Sequence, residues 1–177
     1  MRSLLFMLLL FITSQVHASD YVNFGIPEKN RDAVLRVIND FSNECSDYQN
    51  NANELPLVVT SESFKQISLL QSKSEITVLT ASFECPGFGH PWCGSSGCPT
   101  YLIIEDSVYE VVRGYPHPFD ISDASTVLIN WHGGNYCETV TGVPYSNSGA
   151  CFSSIYWDDS TKTFVVFNGL DVLKKIF

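Results

Sequence analysis

The chain has 177 residues, 45% of them hydrophobic, with 19 acidic and 10 basic side chains and a formal net charge of −9. A surface of that sign repels nucleic-acid phosphates and anionic lipid and draws in basic partners. Nucleic acid is therefore excluded as a partner, and a basic secreted protein is the partner the charge favours.

In chain order, Arg2 and the apolar run Leu4 to Ile12 open the sequence. That run is too short to span a hydrocarbon layer of about 30 Å as a helix. Val16-His17-Ala18 supplies a cleavage site, so residues 1–18 read as a signal peptide and Ser19 as the new N-terminus. What remains, 19–177, suits a single secreted or periplasmic domain. Without Arg2, nine basic residues face nineteen acidic ones, a net charge of −10. No later run is apolar enough to cross a membrane, so none is expected after cleavage.

Pro27 to Phe41 has the clearest helical pattern. Pro27 suits a first helical position, Glu28 faces the positive end of the helix dipole, and Val34, Ile38 and Phe41 form an apolar stripe widened by Leu35 and Val37. Cys45 falls just beyond this span, followed by a polar loop over 47–54. Leu55 to Thr60 has strand composition, with Pro56 confining it to an edge or a strand start. Ser61 to Ile67 reads as a short helical turn with Phe64 and Ile67 facing inward. Ile76 to Phe83 is a strong strand. Tyr101 to Glu105 and Val108 to Arg113 form a hairpin around an acidic turn. Thr126 to Trp131 is a further strand, Ser154 to Trp157 and Thr163 to Phe167 flank a second acidic turn, and Leu170 to Phe177 closes the chain as a short helix or strand. Each half thus reads strand, cysteine loop, strand, acidic turn, strand. The fold class implied is α+β: mainly antiparallel sheet of hairpins, with the N-terminal amphipathic helix packed on one face and loops stapled by disulfides.

All six cysteines, Cys45, Cys85, Cys93, Cys98, Cys137 and Cys151, follow the leader. An even count in an exported chain points to disulfides. The paired C-x-x-C knuckles of a zinc site do not occur, and no metal or other cofactor is expected. The preferred pairing is Cys93–Cys98, Cys137–Cys151 and Cys45–Cys85. The competing one joins Cys85 to Cys98 and Cys45 to Cys93.

No catalytic residue stands out. His90 lies near Cys93, but a paired cysteine offers no thiolate nucleophile. His117 sits between Pro116 and Pro118 and reads as a stiffened loop residue. His132-Gly133-Gly134 has no G-x-S-x-G elbow to serve. The acidic turns Glu105-Asp106 and Asp158-Asp159 lack the alternating oxygen ligands and the glycine of a calcium loop. Aromatic residues in the loops are the better clue. Phe88, Trp92, Tyr115, Phe119, Tyr136 and Tyr145 stand among Gly, Ser and Asn, the mixture that binding surfaces use.

The segment Cys93-Gly-Ser-Ser-Gly-Cys98-Pro99, the strand after it, His132-Gly133-Gly134, the loop to Cys151 and the Tyr156-Trp157-Asp158 hairpin resemble a loose set of secreted or periplasmic bacterial β-rich proteins that carry a C-G-x-x-G-C-P loop and no known activity. The resemblance implies a location outside the cytosol and no catalytic residues. Ser148-Gly149-Ala150 also resembles part of a loop in periplasmic lysozyme inhibitors. The expected function is a non-enzymatic binding protein, an inhibitor or immunity protein for a basic envelope-acting hydrolase. A secreted hydrolase and a structural envelope component are the alternatives.

Overall fold

The computed structural model describes residues 24–49, 55–68, 74–94, 97–111, 115–121, 124–131, 151–167 and 173–177. A 3-10 turn, Glu28–Asn30, leads into helix α1, Arg31–Tyr48. The helix therefore begins just after Pro27, not on it, and runs well past Phe41. Cys45 lies inside it, among the buried residues Ala33, Val34, Val37, Ile38 and Phe41.

The strands form two antiparallel sheets where the sequence suggests one. In the first, β1 (Phe64–Ser68), β2 (Glu75–Thr80), β3 (Thr100–Ile104), β4 (Ser107–Val111) and β9 (Leu173–Lys175) are ordered β1-β2-β3-β4-β9. In the second, β5 (Tyr115–Ile121), β6 (Ala124–Trp131), β7 (Cys151–Asp158) and β8 (Thr163–Val166) follow chain order. Each half of the chain is thus a four-stranded meander, which gives the weak sequence repeat a structural form.

Alternation along the strands assigns each face. Leu79, Ile103 and Val108 join Val34, Val37, Ile38 and Phe41 of α1 in one buried cluster. Their neighbours Ile76, Val78, Leu102, Ile104 and Tyr109 join Val127, Ile129, Ile155 and Trp157 of the second sheet in another. The first sheet is consequently the middle of three layers. This explains why β2 and β3 read as nearly unbroken apolar runs, although antiparallel strands with one wet face alternate. Edge-to-face contacts among Tyr109, Trp157 and Phe164, at 4.9–6.4 Å, join the two sheets.

Other local expectations are corrected by the same layering. Phe64 and Ile67 do not share a helical face. Only Ser61–Ser63 is helical, and Phe64–Ser68 is an edge strand. Phe64 packs toward α1 and stacks on Phe24, while Ile67 enters the inter-sheet core. A spacing of three arises here because both faces of the strand meet a layer. Leu55 to Thr60 makes a single bridge, Val58 to Glu84, and no strand. The strand expected to reach Phe83 ends at Thr80. Tyr115–Ile121 is a strand rather than a loop, on the edge of the second sheet, where the missing N–H groups of Pro116 and Pro118 blunt further pairing. The C-terminal segment is a strand, β9.

One buried polar residue joins three elements. Asn30, fully inaccessible, donates through Nδ2 to Glu75 O (2.9 Å), Thr77 Oγ1 (3.0 Å) and Ile103 O (3.3 Å). Its Oδ1 accepts from Glu105 N at 2.7 Å. Glu105 has a left-handed φ of 52° in the β3–β4 turn, and this bond fixes its backbone there.

Two disulfides occur among the described residues, Cys45–Cys85 and Cys93–Cys98. They exclude the competing pairing. The Cys137–Cys151 pair lies outside the described residues, because Cys137 does.

Candidate functional site

The Cys45–Cys85 bond fastens the last turns of α1 to the loop after β2, with Cα atoms 5.6 Å apart and both cysteines buried. Gln49, just past the helix, completes the junction. Its Nε2 donates to Leu55 O (3.2 Å) and Pro86 O (3.3 Å), and its Oε1 accepts from Leu55 N (3.0 Å). Past Cys85 the chain makes a tight turn closed by Cys85 N to Gly89 O (2.7 Å) and Phe88 N to Cys85 O (2.9 Å). Gly87 and Gly89 take φ values of 88° and 67°, which residues with a Cβ rarely adopt. Phe88, between them, is held outward.

Around this junction apolar side chains face solvent. Seven large ones are exposed among the described residues; two of these, Tyr48 (44%) and Phe88 (51%), meet each other beside the Cys45–Cys85 bond, and Leu55 (57%) is tied to the same junction through Gln49. Scattered apolar residues on a surface are ordinary, but a gathered patch is not. The rings of Tyr48 and Phe88 lie 5.8 Å apart at 34°, and Trp92 meets Tyr48 at 6.3 Å and Phe41 at 4.9 Å. Half-buried Trp92 roots the patch in the core, and its Nε1 donates to Glu44 Oε2.

The rim is acidic. Asp40, Glu44 and Asp47 are exposed on the second half of α1, whereas Arg31 and Arg36 lie in the first half. Negative charge near a helix C-terminus opposes the dipole, and Asp40 and Glu44 at i, i+4 repel. The helix ends without a basic residue in its last turn, and among the described residues no cation pairs with these three acids. Tyr101, half-buried beneath the same edge, registers the field. Burial, and then the charges of Glu110, Glu44 and Asp40, push its phenol up to about 12.

Of the aromatic residues singled out in the sequence, Phe88 and Trp92 come together here. Tyr115 and Phe119 lie on β5, opposite Asn130 and Thr126, in the second sheet. Tyr136 and Tyr145 lie outside the described residues. Tyr48 lies past Phe41, where the sequence pattern predicts the helix to end. The spacing Phe41-x3-Cys45-x2-Tyr48 continues the apolar stripe and would have revealed it.

The other candidates have structural surroundings. His90 places Nδ1 2.9 Å from Phe83 O. His117 is exposed on β5 opposite Leu128. His132 lies outside the described residues. At the β7–β8 tip, Asp158 accepts from Ser160 N (2.8 Å), Ser160 Oγ (2.6 Å) and Thr161 Oγ1 (2.9 Å), and these bonds from Ser160 and Thr161 hold its carboxyl below the usual range. Among the described residues no group of three His, Cys, Asp or Glu side chains could hold a metal, and no helix is long and apolar enough to cross a membrane.

Compared with protein-family models, with curated proteins and with solved structures, the chain matches none.

Proposed function

We propose that the chain is exported and acts outside the cytosol as a non-enzymatic binding protein, an inhibitor or immunity protein whose partner is a basic, envelope-acting hydrolase. One observation carries the reading: the exposed rings of Tyr48 and Phe88 meet beside the Cys45–Cys85 bond, next to helix acids that oppose the helix's own dipole. Rigid aromatics with few rotatable bonds lose little entropy on binding, and acids at the rim speed the approach of a basic surface. Export is supported by the leader-like residues 1–18 and by the disulfides, which persist in oxidising compartments.

The test is affinity capture from an envelope extract with the oxidised chain, repeated with Phe88→Ser and Glu44→Lys. Support is a basic hydrolase retained in one-to-one ratio, inhibited by the chain, and lost with both variants. Turnover of a cell-wall or peptide substrate by the chain alone, or retention of the same protein by both variants, would defeat the reading.

A further inference from the structure

The binding reading leaves open which group of a basic partner meets the ledge, and the ring geometry narrows the choice. Tyr48 and Phe88 are 5.8 Å apart and inclined by only 34°, in contact with each other. Nothing can enter between them, so a ligand must lie over their outer surface. Both rings are about half exposed, and together they offer a broad, shallow platform. Glu44 lies one helical turn before Tyr48, on the same side of α1, and Asp47 neighbours Glu44 at i, i+3. Glu44 uses Oε2 to hold Trp92, and its other carboxylate oxygen has no hydrogen bond among the described residues.

A flat apolar surface edged by carboxylates discriminates between the two basic side chains. The guanidinium of arginine is planar and weakly hydrated. It can stack on a ring while its edge N–H groups meet carboxylates. The lysine ammonium is a compact, strongly hydrated point charge that a shallow ledge cannot desolvate. Leu55, also exposed, is held to the same junction by its backbone bonds with Gln49.

We infer that the ledge takes an arginine of a protruding segment on the basic partner, its guanidinium laid over Tyr48 and Phe88 with its edge toward Glu44 and Asp47. This rests on the binding reading above, and the test separates the two. Hexa-arginine and hexa-lysine peptides carry equal charge. Their binding to the oxidised chain is measured by calorimetry, beside that of Phe88→Ala, of Glu44→Gln/Asp47→Asn, and of the control Phe167→Ser on the second sheet. The expected result is that hexa-arginine binds about three-fold or more tighter than hexa-lysine, in line with an exposed cation–π contact. Phe88→Ala should abolish that preference, the paired acid variant should weaken both peptides, and Phe167→Ser should change neither. Equal binding of the two peptides, or a preference that survives Phe88→Ala, overturns the arginine assignment while leaving a basic partner in place. Binding of neither peptide, or binding indifferent to the acid variant, overturns both.

Discussion

The indole N–H of Trp92 donates to the carboxylate of Glu44, so the first cysteine loop is tied to α1 through a negative charge that the helix end disfavours. Glu44 also repels Asp40 one turn away, and Asp47 lies nearer still to the C-terminus. A helix selected for stability alone would carry lysine there. Asp47→Lys should therefore raise stability by about 0.5–1 kcal/mol while weakening hexa-arginine binding. Thermal unfolding and calorimetry on the same sample check both halves. A variant that is less stable, or that binds the peptide as well as the parent, would contradict the account.

Tyr101 gives a pH signature. An unfolded phenol titrates near 10, and the folded one is raised to about 12 by burial and then by Glu110, Glu44 and Asp40. The fold favours the neutral form. Its contribution is whole below pH 10 and is lost as pH rises from 10 through about 12. The phenolate absorbance of the parent minus that of Tyr101→Phe should titrate near 12, and Glu110→Gln should move that midpoint downward. A difference spectrum that titrates at 10 in the folded chain would refute this.

Asn30 predicts a large loss from a small truncation. Asn30→Ala removes the partner of Glu105 N and a donor from Glu75 O and Ile103 O, around a side chain that is itself fully buried. The expected cost is about 2–3 kcal/mol, since stranded buried polar groups are more expensive than a hydrogen bond is favourable. Urea unfolding would measure it as a lower midpoint with an unchanged slope. A shift equivalent to less than about 0.5 kcal/mol, the scale of an ordinary surface change, would mean that Asn30 only fills space.

The two disulfides should differ in weight. Cys45–Cys85 closes a separation of 40 residues and Cys93–Cys98 one of 5. In the chain-entropy model the first contributes about 4 kcal/mol and the second about 2 kcal/mol. Cys45→Ala/Cys85→Ala should lose more stability than Cys93→Ser/Cys98→Ser, and only the former should impair peptide binding, because it unfastens Tyr48 from Phe88. Equal losses, or binding impaired only by the Cys93–Cys98 change, would be evidence against this arrangement.

The features legible in the sequence were those set by near neighbours. The β3–β4 and β7–β8 hairpins, the core of α1 and the Cys93–Cys98 loop follow from turn chemistry, amphipathic spacing and short separations. One difference from the sequence pattern comes from layering. Periodicity reports burial, and a strand between two layers is buried on both sides. Phe64 and Ile67 therefore read as helical, whereas Tyr115–Ile121 reads as a loop because its two prolines mask the strand that pairs with β6. Tyr48 was missed because a polar stretch follows it, although its own spacing from Phe41 and Cys45 is helical.

By itself the sequence determined the strand-rich plan, the acidic surface and the cysteines that could pair at short range. Those properties reside in composition and in contacts between residues close along the chain. Only the tertiary structure decided that the first sheet is the middle layer, that Asn30 bridges to the β3–β4 turn, and that Tyr48 meets Phe88. Each depends on elements tens of residues apart converging, and their packing energy is shared among surfaces that no single stretch of sequence contains.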